Sequence, residues 1–506
     1  MDHDLLTRLA VVAVYFAALF AIGYYAAKRI HGSDDFFIGG KKLGFWVTSF
    51  SSVGESAWLF LGLSGLGALY GATAYWVMVG EVAGVAYLWF KMGKPLKHLS
   101  NAYGSITIPD YLESRFQDTS RVIRVMASGF VTVFLLIYIG AQVDATGSAF
   151  ESFLKGNYYW GALLGFAIVL FYCVKGGYIA ACWTELYQGV MMFITLLALP
   201  IGLYFAIDNP GAIVPTLQAM DPTFLEPWGI GGFSMLNLMV ILGFVTIGLG
   251  HAGSPQLVVR FISIRDDAEI DKGRWVAVVF ALVTELAVIT AGIMGRALFA
   301  PQADASALGR GAQNVLPMLV ETYFPPLVVG LYIAAVLAAI MATISALLVV
   351  ASSAVARDFY QRILHPEKKE SELTGLSRRF TLAFGALAFG LAMLVAVTTP
   401  GRTIFWFVIF GWSGITATFC PMMILSLAWK GYTRGGAIAS MAVGFLSIPI
   451  FEFLLPKLAE YGPYFTNLGS LAPGFALSML AGIAVSLIRP NPELAKTIPQ
   501  IAPRGS

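Results

Sequence analysis

Glu55 lies in the run Ser51-Ser52-Val53-Gly54-Glu55-Ser56-Ala57-Trp58, inside a stretch that is otherwise apolar. A carboxylate in such a place is costly unless it has a partner or a task. The glycine and hydroxyls around it discourage continuous helix, so the run reads as an unwound segment whose carbonyl oxygens line a site. For Gly65 and Gly67, just beyond, close helix packing is the expected role. A second run, Gly248-Leu249-Gly250-His251-Ala252-Gly253-Ser254-Pro255, breaks another apolar stretch, since proline removes a backbone donor and clashes with the preceding turn. A third, Ala339-Ile340-Met341-Ala342-Thr343-Ile344-Ser345, puts hydroxyls on an apolar helix. A hydroxyl opposite freed carbonyls is a ligand set for a hard monovalent cation, by the oxygen preference that governs larger cations. The alternative for Thr343 is a bond back to a carbonyl of its own helix. The five histidines, His3, His31, His98, His251 and His365, show no metal-ligand spacing. With no nucleophile or cofactor motif either, the chemistry expected is binding and movement of ions and solutes, not catalysis.

The elements that position these runs are membrane helices. Of 506 residues, 58% are AVILMFWYC and 12% are charged, and mean hydropathy is +0.76, whereas a soluble domain is nearer half apolar and a quarter charged. Only a lipid bilayer can cover that excess. The formal charge of +3 gives no ground for a nucleic-acid partner. Thirteen stretches are long enough to cross as helix, at about 5–27, 43–71, 73–92, 123–149, 158–174, 179–207, 233–260, 274–299, 326–357, 378–398, 403–429, 434–455 and 470–488. With the N-terminus outside and the C-terminus cytoplasmic, 26 of the 32 Lys and Arg fall in inner segments, as the positive-inside rule requires. The first stretch is too long, and lacks the small-residue cleavage pattern, for a removable signal peptide. Cys173, Cys182 and Cys420 all fall within spans and read as buried, unreactive thiols. The chain is expected to be one polytopic domain: 1–42 for the first span and inner loop, 43–207 and 233–429 for two core repeats, 430–488 for two peripheral spans, and 489–506 for a cytoplasmic tail without a further domain.

Two interrupted segments five spans apart point to an inverted-repeat secondary transporter, with spans 2 to 6 and 7 to 11 as halves of opposite orientation. Thr343 lies about seventeen residues from the outer end of its span and Ser52 to Glu55 about ten from the inner end of theirs, which puts both near the midplane at roughly 1.5 Å per residue.

At these residues the chain resembles the sodium:solute symporter family, most closely its bacterial sodium/proline branch. The likeness runs from about residue 10 to about 450. It includes Asp34-Asp35-Phe36-Phe37 with Gly39-Gly40, Pro109-Asp110-Tyr111 with Arg115-Phe116, Gly176-Gly177 with Trp183-Thr184-Glu185 and Gln188, and Pro255 with Arg260-Phe261. The resemblance implies an all-α integral membrane protein of 13 transmembrane helices with a LeuT-like five-plus-five inverted-repeat core. It further implies import of a small solute driven by Na+, with proline or a related amino acid as the solute. A small monocarboxylate or other organic solute, or a transporter-fold sensor served by a separate signalling protein, is the alternative. Carried over residue by residue, the sodium site comprises the carbonyls of Ser52, Glu55 and Ala339 and the positions of two hydroxyls, Ala342 and Thr343, so one hydroxyl is missing. Glu185 matches an acidic position that helps sodium leave towards the cytoplasm, and a carboxylate there would equally snorkel or pair with Lys175. The solute positions are Gly54, Ser56, Tyr138, Ile247, His251 and Pro255. Tyr138 would otherwise be a packed aromatic, and His251 would either bond a solute carboxylate or cap freed backbone. Glu81, Gln142, Asp144 and Glu285 are intramembrane polar residues for which inter-helix hydrogen bonds are as good an explanation as lining a path.

Overall fold

The computed structural model describes residues 3–28, 38–53, 58–302, 304–368 and 373–499. Among them the chain is helical throughout, and the only strand-like pairing is an isolated bridge between Leu43 and Ile264. Ten helices are long and apolar enough to cross a membrane. In chain order the helices are α1 (His3–Ala27), α2 (Phe45–Ser52), α3 (Ser64–Tyr70), α4 (Tyr75–Tyr87), α5 (Gly93–Ala102), α6 (Ile108–Phe116), α7 (Val122–Leu154) and α8 (Tyr158–Ala206). They continue as α9 (Ile213–Met220), α10 (Met235–Thr246), α11 (Pro255–Ser263), α12 (Asp267–Phe299), α13 (Val315–Tyr323), α14 (Pro326–Ser353) and α15 (Leu373–Thr398). The last are α16 (Ile404–Ala428), α17 (Arg434–Pro449), α18 (Gly462–Leu468), α19 (Leu471–Ile488) and α20 (Pro492–Thr497).

The stretches expected at 158–174 and 179–207 follow each other without a loop as α8 but are two helices divided by a kink at Gly177, whose φ of 49° and ψ of −142° lie outside helical values. Only glycine enters that region without strain. The stretch expected at 43–71 is built in pieces: α2 stops at Ser52, and a wide π-type turn, Trp58–Leu63, leads into α3. Gly54, Glu55 and Ser56, between those pieces, lie outside the described residues. The second expected break is present, with α10 ending at Thr246, a 3-10 turn over Ile247–Ala252, and Pro255 starting α11 at a position where its missing N–H costs nothing.

Helix α14 is the axis of the bundle. Of its most apolar window 89% is buried, against 17% for α1, because small residues such as Ala334, Ala335, Ala338 and Ala339 let α7, α8 and α1 close around it. Helices α17 and α19 pack on each other and on α16 at the margin. Glycine sets the tightest crossings. A Cβ on Gly248 would stand 1.9 Å from the Gly80 carbonyl oxygen, and one on Gly84 1.9 Å from that of Gly248, so α4 and the 3-10 turn touch backbone to backbone. Gly65 and Gly67 serve packing, as expected, with their Cβ positions 2.1 Å from the Gly311 oxygen and 2.6 Å from the Ile289 oxygen.

At the end of the bundle that carries the basic connections, Arg124 on α7 gathers three carboxylates. It bonds Asp110 at 2.7 Å and Asp358 at 2.8 Å, and also pairs with Glu113. Thr107 caps α6 through the Asp110 amide at 3.2 Å and bonds Asp358 at 2.7 Å, which ties α6 and α7 to the extension of α14. Burial alone would raise the pKa of Asp110, but Arg124 and Arg357 outweigh it and hold the carboxyl below its ordinary value.

Candidate functional site

The C-terminal end of α2 meets the break before Pro255, and histidine joins them. His251 Nε2 lies 2.9 Å from the Val53 carbonyl oxygen, one residue past the end of α2, and Nδ1 lies 3.3 Å from the Gly248 carbonyl in its own turn. Unwound backbone at this depth is tolerated only if its polar groups find partners, and side chains supply them. The Trp412 indole N–H donates to the Ile247 carbonyl at 2.9 Å, while the Ser254 hydroxyl and the Cys420 thiol donate to the Gly250 carbonyl at 2.6 and 3.3 Å. Cys420 is buried, as expected, and has a structural use.

A cavity opens at this junction, lined by Trp58, Tyr138, Ile247, His251, Ile409 and Trp412, together with the carboxylates Glu81 and Glu285. Glu81 Oε2 is 3.1 Å from His251 Nδ1, and both side chains are almost fully buried. The Trp412 ring stands edge-on to Tyr138, with centroids 6.2 Å apart, and 5.7 Å from the His251 ring. Ile247 and Ile409 also line a larger cavity of about 320 Å³ that reaches the connections at Gly311, Thr403 and Asn467, opposite the basic end. The two isoleucines form the partition between site and vestibule.

Tyr138 faces a second cavity on its other side, lined by Ser51, Glu185, Gln256, Ala342 and Thr343. Four expected site residues, Tyr138, Glu185, Ala342 and Thr343, therefore come together there. The Thr343 hydroxyl donates to the Ala339 carbonyl at 3.1 Å, which is the back-bond within α14 and also brings two of the expected cation ligands side by side. Ser345 makes a similar bond to the Ala342 carbonyl at 2.8 Å. Ser52 is fully buried, its hydroxyl accepting from the Trp89 indole at 3.1 Å.

Glu185 does not pair with Lys175. Its Oε1 accepts from Arg260 Nη2 at 2.8 Å, with both side chains buried. Arg260 in turn reaches the Cys182 sulfur at 3.0 Å and covers the Tyr178 ring at 4.6 Å. Glu185 Oε2 has no hydrogen-bond partner among the described residues. The structure separates Pro255 from the solute positions: it begins α11 and lines a different pocket, with Pro109, Val259, Val349 and Asp358.

Glu81, Glu285, Trp58 and Trp412 belong to the first cavity although sequence reasoning did not assign them there. The available signal was the rarity of intramembrane carboxylates, which Asp144 shares. Asp144 is instead consumed at the vestibule end by Arg402 and by Tyr158, whose hydroxyl donates to it at 2.5 Å.

The model of the sodium:solute symporter family matches residues 36–444. The osmoregulated proline transporter OpuE of Bacillus subtilis is 30% identical over 487 residues, covering 96% of this chain and 95% of that protein. The high-affinity proline transporter PutP of the same organism is 30% identical over 479 residues, covering 94% and 97%. A sodium/proline symporter of Staphylococcus aureus is 30% identical over 489 residues, covering 95% and 93%. The solved substrate-bound outward-open state of a Na+-coupled sialic acid symporter shares the fold, with a TM-score of 0.75 over 95% of this chain and 98% of that one at 19% identity.

Proposed function

Since the chain belongs to the sodium:solute symporter family, we propose that it imports proline or a related small amino acid across the plasma membrane, driven by Na+, by alternating access. The observation that carries this reading is the joining of the end of α2 to the break before Pro255 by His251 at one buried cavity, the arrangement by which transporters hold solute and ion near the midplane. In this reading the chain crosses the membrane thirteen times, with α8 divided at Gly177, the N-terminus outside and the C-terminus in the cytoplasm. Residues 43–207 and 233–429 are the two inverted repeats.

In this reading sodium is held by the carbonyls of Ser52, Glu55 and Ala339 and by Thr343, with Ala342 in the place of a second hydroxyl. Sodium joins α2 to α14 and so favours the outward-facing state, an effect limited by its differential affinity for the two states. Tyr138, Ile247 and His251 face the solute, with Gly54 and Ser56 from the first break, while Pro255 acts by starting α11. Glu185 receives sodium on its way to the cytoplasm, a role supported by its place beside Ala342 and Thr343 and by its unpartnered oxygen. The carboxyl group of Glu285 on the first cavity, where Glu81 is engaged by His251, favours a solute with an ammonium group over a simple monocarboxylate.

Uptake of labelled proline into liposomes holding the purified protein tests the reading. An inward sodium gradient is expected to drive accumulation that potassium or a proton gradient alone does not, and competing amino acids rank the solutes. Equal uptake with and without sodium refutes it.

A further inference from the structure

We propose that Glu81 and His251 form a proton-binding site that locks the end of α2 to the break before Pro255 and sets the affinity of the neighbouring sodium site. The argument is a count of donors. His251 Nε2 faces the Val53 carbonyl at 2.9 Å, and a carbonyl oxygen only accepts, so Nε2 carries a proton. Nδ1 faces the Gly248 carbonyl at 3.3 Å and Glu81 Oε2 at 3.1 Å. An ionised carboxylate also only accepts, so a second proton lies between Nδ1 and Oε2. The pair is either imidazolium with carboxylate or neutral imidazole with carboxylic acid, and both forms hold two protons where a neutral histidine beside a carboxylate holds one. Loss of the second proton sets a nitrogen lone pair against a carboxylate between two buried side chains. His251 is 1% exposed and Glu81 5%, so the repulsion is little screened.

The consequence reaches the ion site through Val53. That carbonyl follows Ser52 directly, and the histidine bond is what ties this end of α2 to the Ile247–Ala252 turn. A ring displaced from Glu81 releases Val53, and with it the backbone proposed to ligate sodium. The other titratable groups facing the pair are Glu285 from α12 and Tyr138 from α7 across the cavity, and Cys420 from α16 at the Gly250 carbonyl. Among the described residues, neither Lys nor Arg lines the cavity. This inference rests on the transport reading for its consequence and on geometry alone for the proton.

The test is the sodium concentration giving half-maximal uptake, measured from about pH 6 to 9 for the natural protein and for Glu81→Gln. One required proton predicts a rise of about tenfold per pH unit above the titration of the pair. The amide of Glu81→Gln donates to Nδ1 without titrating, so the slope is expected to vanish whatever the absolute rate. A flat profile for the natural protein, or an unchanged slope in Glu81→Gln, overturns the proposal. Sodium-independent uptake at every pH refutes the transport reading instead. Nitrogen NMR of protein labelled at its five histidines, assigned with His251→Gln, then decides the proton by itself. At about pH 6, an Nε2–H signal with an Nδ1 that either carries a proton or accepts a hydrogen bond supports the site; an Nδ1 that neither carries nor accepts a proton overturns it.

Discussion

Removing the Glu185 carboxylate tests the buried pair most directly. Arg260 Nη2 and Glu185 Oε1 are 2.8 Å apart at 1% and 4% side-chain exposure. At an effective dielectric of about 20 their attraction is about 6 kcal/mol, most of it offset by the cost of withdrawing both charges from water. Truncating one partner strands the other, and breaking such a pair costs about 3–5 kcal/mol. Glu185→Ala is therefore expected to lose about that much stability, since among the described residues Arg260 keeps the Cys182 sulfur and the Tyr178 ring as side-chain partners. Arg260→Met is expected to lose a similar amount. The double variant is expected to recover most of it, because replacing both charges by apolar groups is often neutral or stabilising. Unfolding in detergent by chemical denaturant, taken around the four-protein cycle, gives the coupling between the residues. A coupling below about 0.5 kcal/mol refutes the claim that the two side chains depend on each other. Uptake by the stable double variant then separates roles: normal folding with slowed release of sodium to the inside is expected if Glu185 also handles the ion.

Thr343→Ala is expected to raise the sodium concentration for half-maximal uptake by roughly 2- to 10-fold, the value of one hydrogen-bond-strength ligand, and an unchanged dependence removes Thr343 from the site. Gly248→Ala drives a methyl to 1.9 Å from the Gly80 carbonyl, so a loss of about 1–3 kcal/mol or more is expected in denaturant unfolding, with uptake abolished. For Asp110, whose carboxyl is held below its ordinary value by Arg124 and Arg357, the ion-pair contribution is present above an unfolded pKa of about 3.9 and is lost as pH falls through the lower folded value. Asp110→Asn is accordingly expected to be less stable than the natural protein at neutral pH, with the gap closing in strong acid, as followed by thermal melting.

The break before Pro255 was legible in the sequence because it follows from local rules. Proline at 255 with glycines at 248, 250 and 253 disfavours continuous helix whatever surrounds them. The membrane class was equally legible, since apolar length alone decides whether a helix can cross. Local rules do not say which way a helix is turned. Glu81, Asp144, Glu185 and Glu285 are alike as sequence, each a carboxylate within an apolar helix. Packing gives them different tasks: Asp144 to Arg402, Glu185 to Arg260, Glu81 to His251, and Glu285 to the cavity wall. The rotation of each helix about its axis is set by contacts such as Gly80 against Gly248, between residues far apart in the chain. Composition thus determined that the protein spans a membrane, and only the tertiary structure decided which polar side chains line its cavities and which hold its helices together.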